Sequence, residues 1–204
     1  MIRLKKPVEI DRIVLHSCCA PCSGALVEAL LENGVRPLLF YYNPNIYPQE
    51  EYEIRKSENK RYATRLGLEF VDADYEYENW KTRTLALRDE PERGRRCFQC
   101  FCIRLTTTAR FAHERGYTVF ATTLGTSRWK DLSQINEAGK IAADRFPEVS
   151  FWDENWKKGG LTERRAEITR QYDFYRQQYC GCEYSLRGRK SMKGAGAISG
   201  SSDK

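Results

Sequence analysis

Arg12-Ile-Val-Leu-His-Ser-Cys-Cys-Ala-Pro-Cys-Ser23 joins the first predicted strand of the chain to its first predicted helix. Residues 12–17 form a short apolar run, which is typical of a strand buried in a parallel sheet. A helix is predicted over residues 23–33, with Gly34 as its C-terminal cap. In many doubly wound proteins this strand–helix turn is glycine-rich and cradles phosphate, but here cysteines occupy it. Because a helix N-terminus lowers the pKa of a thiol, the turn favours thiolates.

The rest of the sequence continues to alternate strands with helices. Strands are predicted over residues 36–42, 68–72, 117–122 and 149–152, and helices over residues 49–66, around 80–87, 98–115, 130–146 and 162–178. This alternation implies an α/β, Rossmann-like parallel sheet with helices on both faces, whose ligands gather at the carboxyl ends of the strands. No G-x-G-x-x-G or Walker sequence is present, so no nucleotide cofactor is expected.

Length and charge suggest one catalytic domain with a tail. The 204 residues predict a single metal-binding domain over residues 1–186 and a flexible basic tail over residues 187–204. The chain has a net charge of +6, and the tail carries five Lys or Arg and one Asp. Such a tail suits either phosphate contacts with nucleic acid or solubility. With no export signal and no apolar run near the roughly 18 residues of a membrane helix, a cytoplasmic protein without membrane contact is expected.

The eight cysteines fall into three groups. They form C-C-x-x-C at Cys18, Cys19 and Cys22, C-x-x-C-x-C at Cys97, Cys100 and Cys102, and C-G-C at Cys180 and Cys182. Thiolates select iron–sulfur clusters, zinc or copper(I). A disulfide framework would need an oxidising compartment, so a thiolate-bound metal centre is the favoured interpretation. Inert buried thiols and a redox dithiol are the alternatives.

Local spacing indicates how the later cysteines could cooperate. Cys97 and Cys100 are predicted to share a helix face with Cβ atoms about 5–6 Å apart, whereas Cys102 points elsewhere and is interpreted as packing. Gly181 would let the sulfurs of Cys180 and Cys182 converge on one metal, although an inert tight turn fits the same residues. Because the spacing differs from that of a ferredoxin or a zinc ribbon, the ligands must assemble from distant parts of the chain.

Other residue types are less decisive. His16 suits a core position and a functional one equally well. Several cations are phosphate-binding candidates, although solvated charge is the simpler interpretation of each: Arg55, Arg96, Arg104, Lys130 and Arg176. Some of the numerous aromatic side chains at strand ends could stack on a base of single-stranded RNA, but most are expected in the core.

With these residues in hand, the chain resembles the cobalamin-independent epoxyqueuosine reductases (QueH type). The matching segments span residues 12–185 and are Leu15-His-Ser-Cys-Cys-Ala-Pro-Cys-Ser23, Tyr42-Asn-Pro-Asn-Ile-Tyr-Pro48, Glu51-Tyr-Glu-Ile-Arg55, Glu92-Arg-Gly-Arg-Arg-Cys-Phe-Gln-Cys100 with Arg104, Thr122-Thr-Leu-Gly-Thr-Ser-Arg-Trp-Lys130 and Tyr175-Arg-Gln-Gln-Tyr-Cys-Gly-Cys-Glu-Tyr-Ser185. Several of them are long and occur in order, so chance is a poor explanation.

The resemblance implies a fold, a reaction and two cofactors. The fold would be Rossmann-like, of the PP-loop/HUP-like kind. The reaction would be reductive deoxygenation of epoxyqueuosine to queuosine in the tRNA anticodon loop, with electrons from an unidentified donor. The cofactors would be a 4Fe–4S cluster and a second, mononuclear iron beside it.

The resemblance also guides the choice of site residues. Cys18 and Cys19 with Cys97 and Cys100 are the predicted cluster ligands. Cys180 and Cys182, with or without an unidentified carboxylate, are the predicted ligands of the second iron, which would keep an open position for substrate. The roles of Cys18, Cys19 and Cys22 are interchangeable at this stage. The predicted catalytic residues are Cys19, Cys22, Asp74 and Lys130. The predicted substrate-binding residues are Asn43, Asn45, Arg55 and Arg176.

One departure from the family pattern affects the choice of acid. Relatives often carry Asp-Phe before a Lys-rich pair, where this chain has Asn155-Trp156 before Lys157-Lys158, so no acid is assigned there. Asp74, Glu76 and Asp131 remain the acidic candidates.

Two other functions fit parts of the pattern. A cluster-dependent tRNA sulfur transferase of PP-loop ancestry would need ATP, and its phosphate-cradling loop is absent. A non-catalytic zinc-containing RNA-binding protein would use the same cysteines structurally.

Overall fold

A computed structural model of the chain describes residues 2–186 and contains one five-stranded, all-parallel sheet. The strand order is β3-β2-β1-β4-β5. The strands are β1 (Arg12–His16), β2 (Arg36–Tyr41), β3 (Phe70–Asp72), β4 (Val119–Thr122) and β5 (Ser150–Phe151). The α/β, Rossmann-like prediction is therefore confirmed, whereas the predicted tail at 187–204 lies outside the described residues.

Among the described residues, six α-helices alternate with the strands, and the last of them follows β5. They are α1 (Ala20–Glu32), α2 (Gln49–Arg65), α3 (Tyr77–Thr84), α4 (Arg95–Glu114), α5 (Leu132–Ala143) and α6 (Leu161–Gln171), with short 3₁₀ turns at Leu85–Leu87 and Thr123–Thr126. Between residues 2 and 186, no helix combines the length and apolar character needed to cross a membrane.

The central strand β1 explains why both faces of the sheet are covered. Ile13 and Leu15 face the layer of α1 and α6, whereas Val14 faces the layer of α4 and α5. All three side chains are completely buried. A strand buried on both faces appears in sequence as a continuous apolar run rather than as an alternating pattern, which is the form that this segment has.

The strand order places a switch point at β1. From β1 the chain moves outward to β2 and β3, and then returns across the sheet to place β4 on the other side of β1. Connections leaving the carboxyl ends of β1 and β4 therefore diverge and open a crevice between them. His16 pairs with Thr122 in the register of these two strands, so Cys18 lies directly beyond this crevice.

Several helix boundaries differ from the sequence prediction, and three of the differences bear on the cysteines. Helix α1 begins at Ala20 rather than at 23, so Cys22 lies inside it. Helix α6 ends at Gln171 rather than at 178, because Asp173 has a left-handed φ of 49° and Phe174 turns into the core against Tyr62, with ring centroids 5.2 Å apart. Helix α4 begins at Arg95 after Gly94, three residues earlier than predicted. Cys97 consequently lies in the first turn of α4.

Close packing between α5 and β5 yields a stability prediction. A methyl group at Gly139 would overlap the Phe151 ring, which is part of the core. We expect G139A to lower the free energy of unfolding by about 1–3 kcal/mol through overpacking, measured by urea denaturation. In an F151A background the ring is gone, so the same change should instead stabilise by roughly 0.5–1 kcal/mol through helix propensity. Equal effects in the two backgrounds would contradict the overlap.

Candidate metal centre

Three cysteine sulfurs converge where β1 meets α1. The Sγ atoms of Cys18, Cys19 and Cys22 all lie within 4.8 Å of one another, and all three residues are buried. We call these residues the thiol triad. Cys19 is the extended N-cap of α1, and its carbonyl accepts from the backbone N–H groups of Cys22 (3.1 Å) and Ser23 (3.2 Å). The N-terminus of α1 therefore brings the triad together at the crevice of the sheet.

His16 links the ends of three strands by hydrogen bonds, next to the triad. Its Nδ1 lies 2.8 Å from Thr122 Oγ1 and its Nε2 lies 3.1 Å from the carbonyl of Tyr42. Because a carbonyl can only accept, Nε2 carries the proton and Nδ1 accepts from the threonine hydroxyl. Burial, followed by the Arg104 charge, lowers the pKa of His16 to about 3. His16 is thus a neutral structural residue that ties β1 to β4 and to the end of β2.

The triad is set up to carry one thiolate. Hydrogen bonds from the Cys19 and Cys22 thiols hold the pKa of Cys18 well below its usual value, despite burial. Burial raises the pKa of Cys19, and the hydrogen bond to Cys18 raises that of Cys22. The Thr123 hydroxyl also donates to Cys18 Sγ at 3.4 Å. A metal would therefore meet one ready thiolate and two thiols that lose protons on binding.

Four further cysteines line a small internal cavity. They are Cys97 and Cys100 of α4 and the later pair Cys180 and Cys182. We call them the thiol quartet. Burial raises the pKa of Cys97 to about 11 and also raises that of Cys182. Burial likewise raises the pKa of Cys100, against the lowering effects of the Arg104 charge and the Trp80 N–H.

A buried ion pair positions the Cys180–Cys182 loop. Arg55 Nη2 lies 2.7 Å from Glu51 Oε1, and its guanidinium also donates to the carbonyls of Tyr179 and Cys180, each at 3.4 Å. Gly181 has a φ of 132°, and a Cβ there would come within 3.2 Å of Arg55 Nη1. The backbone bends at Gly181 as expected, whereas the convergence of the Cys180 and Cys182 sulfurs on one metal stays a prediction. Arg55, only 3% exposed, holds this loop from inside the protein.

Two buried cations link the triad to the quartet. Lys130 is 8% exposed and donates from Nζ to Ser127 Oγ at 3.3 Å. Burial lowers the pKa of Lys130, but charge at Cys180, Cys18 and Cys22 outweighs it, and the net shift is upward. Cysteines of both groups therefore raise the pKa of Lys130, which favours its ammonium form. Arg104 is 2% exposed and acts on Cys18 and Cys100.

The donor atoms of the quartet cavity fit a sulfur-rich anionic group. Arg104 Nε and Trp80 Nε1 are buried without a hydrogen-bond partner of normal geometry among residues 2–186, and both side chains line this cavity. Unpaired buried N–H groups are costly, and N–H donors directed at cluster sulfurs are a recognised feature of iron–sulfur sites. Thiols from several chain segments, buried positive charge and N–H donors beside Cys100 together match such a cofactor.

The predicted substrate residues separate into interior and surface positions. Asn43 is completely buried, donates to the Ser17 carbonyl at 2.9 Å and accepts from Arg104. Asn45 is also buried but lines the quartet cavity, and its Oδ1 has no partner among the described residues. Arg176 is exposed and lines a groove beside Cys22. Asn43 and Arg55 thus make hydrogen bonds inside the protein, Asn45 faces an internal cavity, and Arg176 faces an open groove.

The acidic candidates occupy different surroundings. Asp74 is exposed, has a left-handed φ of 51°, and does not line either of the cavities described around the cysteines of residues 2–186. Glu76 accepts from the Tyr42 hydroxyl at 2.5 Å. Asp131 caps α5 by accepting from the Gln134 N–H at 3.0 Å, and it lines a cavity with Cys97, Cys180 and Cys182. Of the three acidic candidates, Asp131 is therefore the one that shares a cavity with cysteines of the quartet.

Sequence reasoning singled out neither Gln177 nor the role of Trp80. Gln177 donates from Nε2 to Cys19 Sγ at 2.9 Å and lies 3.9 Å from Cys22 Sγ. Its only sequence signal was membership of the long matched segment before Cys180. Cys102, by contrast, packs against the core on α4, in agreement with its interpretation as a packing residue.

Comparison with known proteins identifies close relatives. The sequence model of the family "Epoxyqueuosine reductase QueH" matches residues 13–188. The chain is 48% identical over 193 residues to epoxyqueuosine reductase QueH of Histophilus somni, covering 95% of this chain and 79% of that protein. It is 49% identical over 185 residues to the Haemophilus influenzae protein of the same name, covering 91% and 76%. The corresponding Thermotoga maritima protein is 34% identical over 181 residues, covering 87% and 92%.

A solved structure supports the fold alone. The crystal structure of a predicted subunit of tRNA methyltransferase from Methanocaldococcus jannaschii has a TM-score of 0.52 and 14% sequence identity, and the match covers 90% of this chain and 88% of that one. This likeness agrees with the α/β Rossmann-like architecture described above.

The ion pair beneath the quartet yields a prediction. R55M should leave Glu51 buried without its cation and lower the free energy of unfolding by about 3–5 kcal/mol. Cys180 should also be alkylated several-fold faster in the native protein, because two carbonyls of its loop lose their donor. Urea denaturation and mass spectrometry of the anaerobically purified protein measure the two effects.

Two variants serve as controls for R55M. Arg61 lies on the same helix but is 54% exposed, and it pairs with Glu58 at 3.7 Å, so R61M should cost less than about 1 kcal/mol. E51Q/R55M removes both charges and should recover much of the stability. If R55M were as stable as R61M and left Cys180 equally protected, Arg55 would not be positioning the loop.

Proposed function

The chain belongs to the epoxyqueuosine reductase QueH family and is an oxidoreductase, and we propose that its substrate is a tRNA carrying epoxyqueuosine in the anticodon loop. The observation that carries this proposal is the pairing of a buried thiol triad at the crevice of the sheet with a second group of four thiols, both of which act on the buried Lys130. A catalytic site is expected at this position in an open parallel sheet.

The proposed reaction converts epoxyqueuosine to queuosine. Two C–O bonds of the epoxide break, a C=C bond forms between the same carbons, and the oxygen leaves as water. The balance requires two electrons from an external reductant and two protons. A buried site beside the switch point would keep these steps away from bulk water.

The proposed cofactors are a 4Fe–4S cluster and a second iron. In the first assignment, Cys18 and Cys19 of the triad with Cys97 and Cys100 of the quartet would hold the cluster, and Cys180 and Cys182 with a carboxylate would hold the second iron. The grouping of the quartet around one cavity supports a second assignment, in which the quartet holds the cluster and the triad the second iron. When bound, the cluster would supply electrons singly, and the neighbouring iron would act as a Lewis acid toward the epoxide oxygen.

The protein's own contribution would be charge and proton control. Lys130 lies in the wall of a cavity with Cys180 and Cys182, and its pKa is raised by the charges at Cys180, Cys18 and Cys22 after the opposing effect of burial. It would therefore enter the reaction protonated, able to donate at Nζ to an oxygen anion. Cys19, Cys22 and Asp74 stay in the proposal as catalytic candidates, although Asp74 is exposed.

Metal content tests the cofactor assignment. Purified without oxygen, the protein should contain about five irons and four acid-labile sulfides per chain, as the proposed cluster and lone iron require. C97A should abolish cluster absorption. C102A, on the same helix but packed against the core, should leave iron and sulfide unchanged.

Further variants separate the two proposed metal sites. C180A or C182A should remove about one iron while sulfide stays constant, as expected if these thiols serve only the second iron. C22A tests the second assignment of ligands, in which the triad binds the second iron and the quartet binds the cluster. Loss of about one iron from C22A, with sulfide unchanged, would favour that assignment. Zinc without sulfide in the wild-type protein would replace the reductase proposal with a structural metal site.

Replacement of Lys130 tests its proton-donor role. K130M should reduce the rate of epoxyqueuosine deoxygenation by roughly 10²-fold or more, the scale of general acid catalysis, while iron and sulfide content remain near wild type. Single-turnover assays with excess chemical reductant measure the rate independently of the natural donor. Wild-type turnover by K130M would exclude Lys130 as the proton donor.

A further inference from the structure

An open groove lies immediately beside the thiol triad. It has a volume of about 430 Å³ and runs between the loop that follows β4 and the segment of α6 with the residues after it. Four arginines line it: Arg128, Arg165, Arg170 and Arg176. No aspartate or glutamate is among its described lining residues. The groove is therefore strongly basic on the side of the protein that leads to the cysteines.

The positive charge of the groove is not neutralised by neighbouring carboxylates. None of its four arginines makes a salt bridge with any carboxylate placed within residues 2–186. Arg164 provides a contrast on the same helix, because it faces away and binds both Glu28 (2.6 Å) and Glu167 (2.8 Å). Arginines that are left unpaired along one side of a helix suit an anionic ligand.

Nearby groups show the same excess of positive charge. Arg165 is held in place by donating to the Thr126 carbonyl, which leaves part of its guanidinium free. Burial lowers the pKa of Lys157, and the charges of Arg165 and Arg93 lower it further. Cations thus crowd this side of the molecule closely enough to act on one another.

An aromatic platform completes the groove. Trp129 is half-buried in its wall, and the Arg128 guanidinium lies 4.9 Å from the Trp129 ring centroid. Aromatic rings and arginine planes together are the surfaces on which unpaired bases stack in single-stranded RNA recognition. A basic track with one aromatic face distinguishes a nucleic-acid surface from a site for small anions.

The groove also leads to the reactive end of the protein. Cys22 lies in its wall, and Gln177, another lining residue, donates to Cys19 Sγ at 2.9 Å. A nucleotide that reacts at the thiols must approach them directly, whereas electrons can arrive across protein from a more distant surface. The position of the groove therefore favours the substrate, rather than an acidic electron-donor protein, as the molecule that binds in it.

We propose that this groove binds the RNA backbone on either side of the reacting nucleotide, with its arginines on phosphates and Trp129 stacked on an unpaired base. The proposal rests on the proposed function, since it takes a tRNA anticodon loop as the occupant. It adds a binding surface and a direction of approach, from the α6 side toward the triad.

Salt-dependent RNA binding tests the groove. The probe is a fluorescent anticodon stem-loop RNA, titrated with the full chain at several salt concentrations and followed by anisotropy. R128A/R170A/R176A should weaken binding at least about tenfold at low salt. It should also lower the slope of log affinity against log salt by roughly 2, since each lost phosphate contact in a single strand accounts for about 0.7.

A matched variant controls for net charge. Lys60, Arg83 and Arg110 are exposed, lie on other helices and do not line the groove. K60A/R83A/R110A removes the same charge and should change affinity less than about twofold. W129A should weaken binding about tenfold, whereas W129F should retain most of the affinity because it keeps an aromatic face.

The possible results distinguish this proposal from the function it rests on. If the groove and control triple variants bind the stem-loop alike, the groove proposal is wrong and the reductase function stands. If the groove variant binds RNA normally but loses reduction by an acidic one-electron donor protein, the groove docks the donor and the RNA assignment is wrong. If the wild-type protein does not bind the stem-loop at all, both the groove proposal and the tRNA substrate fail.

Discussion

Two buried cations require negative charge beside them, and the cysteines are the groups placed to supply it. Arg104 and Lys130 are 2% and 8% exposed and have no carboxylate partner at salt-bridge distance within the described part of the chain. An uncompensated buried ion costs several kcal/mol, so the interior is stable only if thiolates or a thiolate-bound group share the space. Hydrogen bonds from Cys19 and Cys22, with a smaller contribution from the two cations, lower the pKa of Cys18. Arg104 and Trp80 lie beside Cys100 and lower its pKa against the effect of burial.

The sheet supplies the geometry that this charge balance needs. The crevice between the ends of β1 and β4 receives the triad from one loop, while α4 and the segment after α6 bring the quartet from elsewhere in the chain. Distant residues hold these pieces in register. His16 ties the strand ends together, and Arg55 reaches from α2 to the carbonyls of the Cys180 loop. The fold thus brings both groups of cysteines to positions from which they could hold a metal.

Charge is divided between the interior and the surface in a way that suits a large anionic substrate. Lys130 connects the two thiol groups inside, and the arginine-lined groove lies outside, next to Cys22. In the proposed reaction, the outer charges would hold the RNA backbone while the inner charge would serve the reacting oxygen. The proposed tRNA substrate would account for both halves of this arrangement.

Local patterns in the sequence were sufficient for the alternating parallel fold and for the cysteine groups, because helix periodicity, buried apolar runs and i, i+3 spacing are short-range properties. They predicted the bend at Gly181 and the packing role of Cys102 for the same reason. The family followed from the resemblance of long, ordered segments to a known family. Tertiary structure alone decided that the thiols group as three and four, and that Arg55 and Asn43 lie in the interior. It also placed Gln177 against Cys19, because α6 ends early at Gln171. These outcomes depend on strand order and on contacts between segments more than 100 residues apart, such as Arg55 with Cys180, which no local spacing encodes.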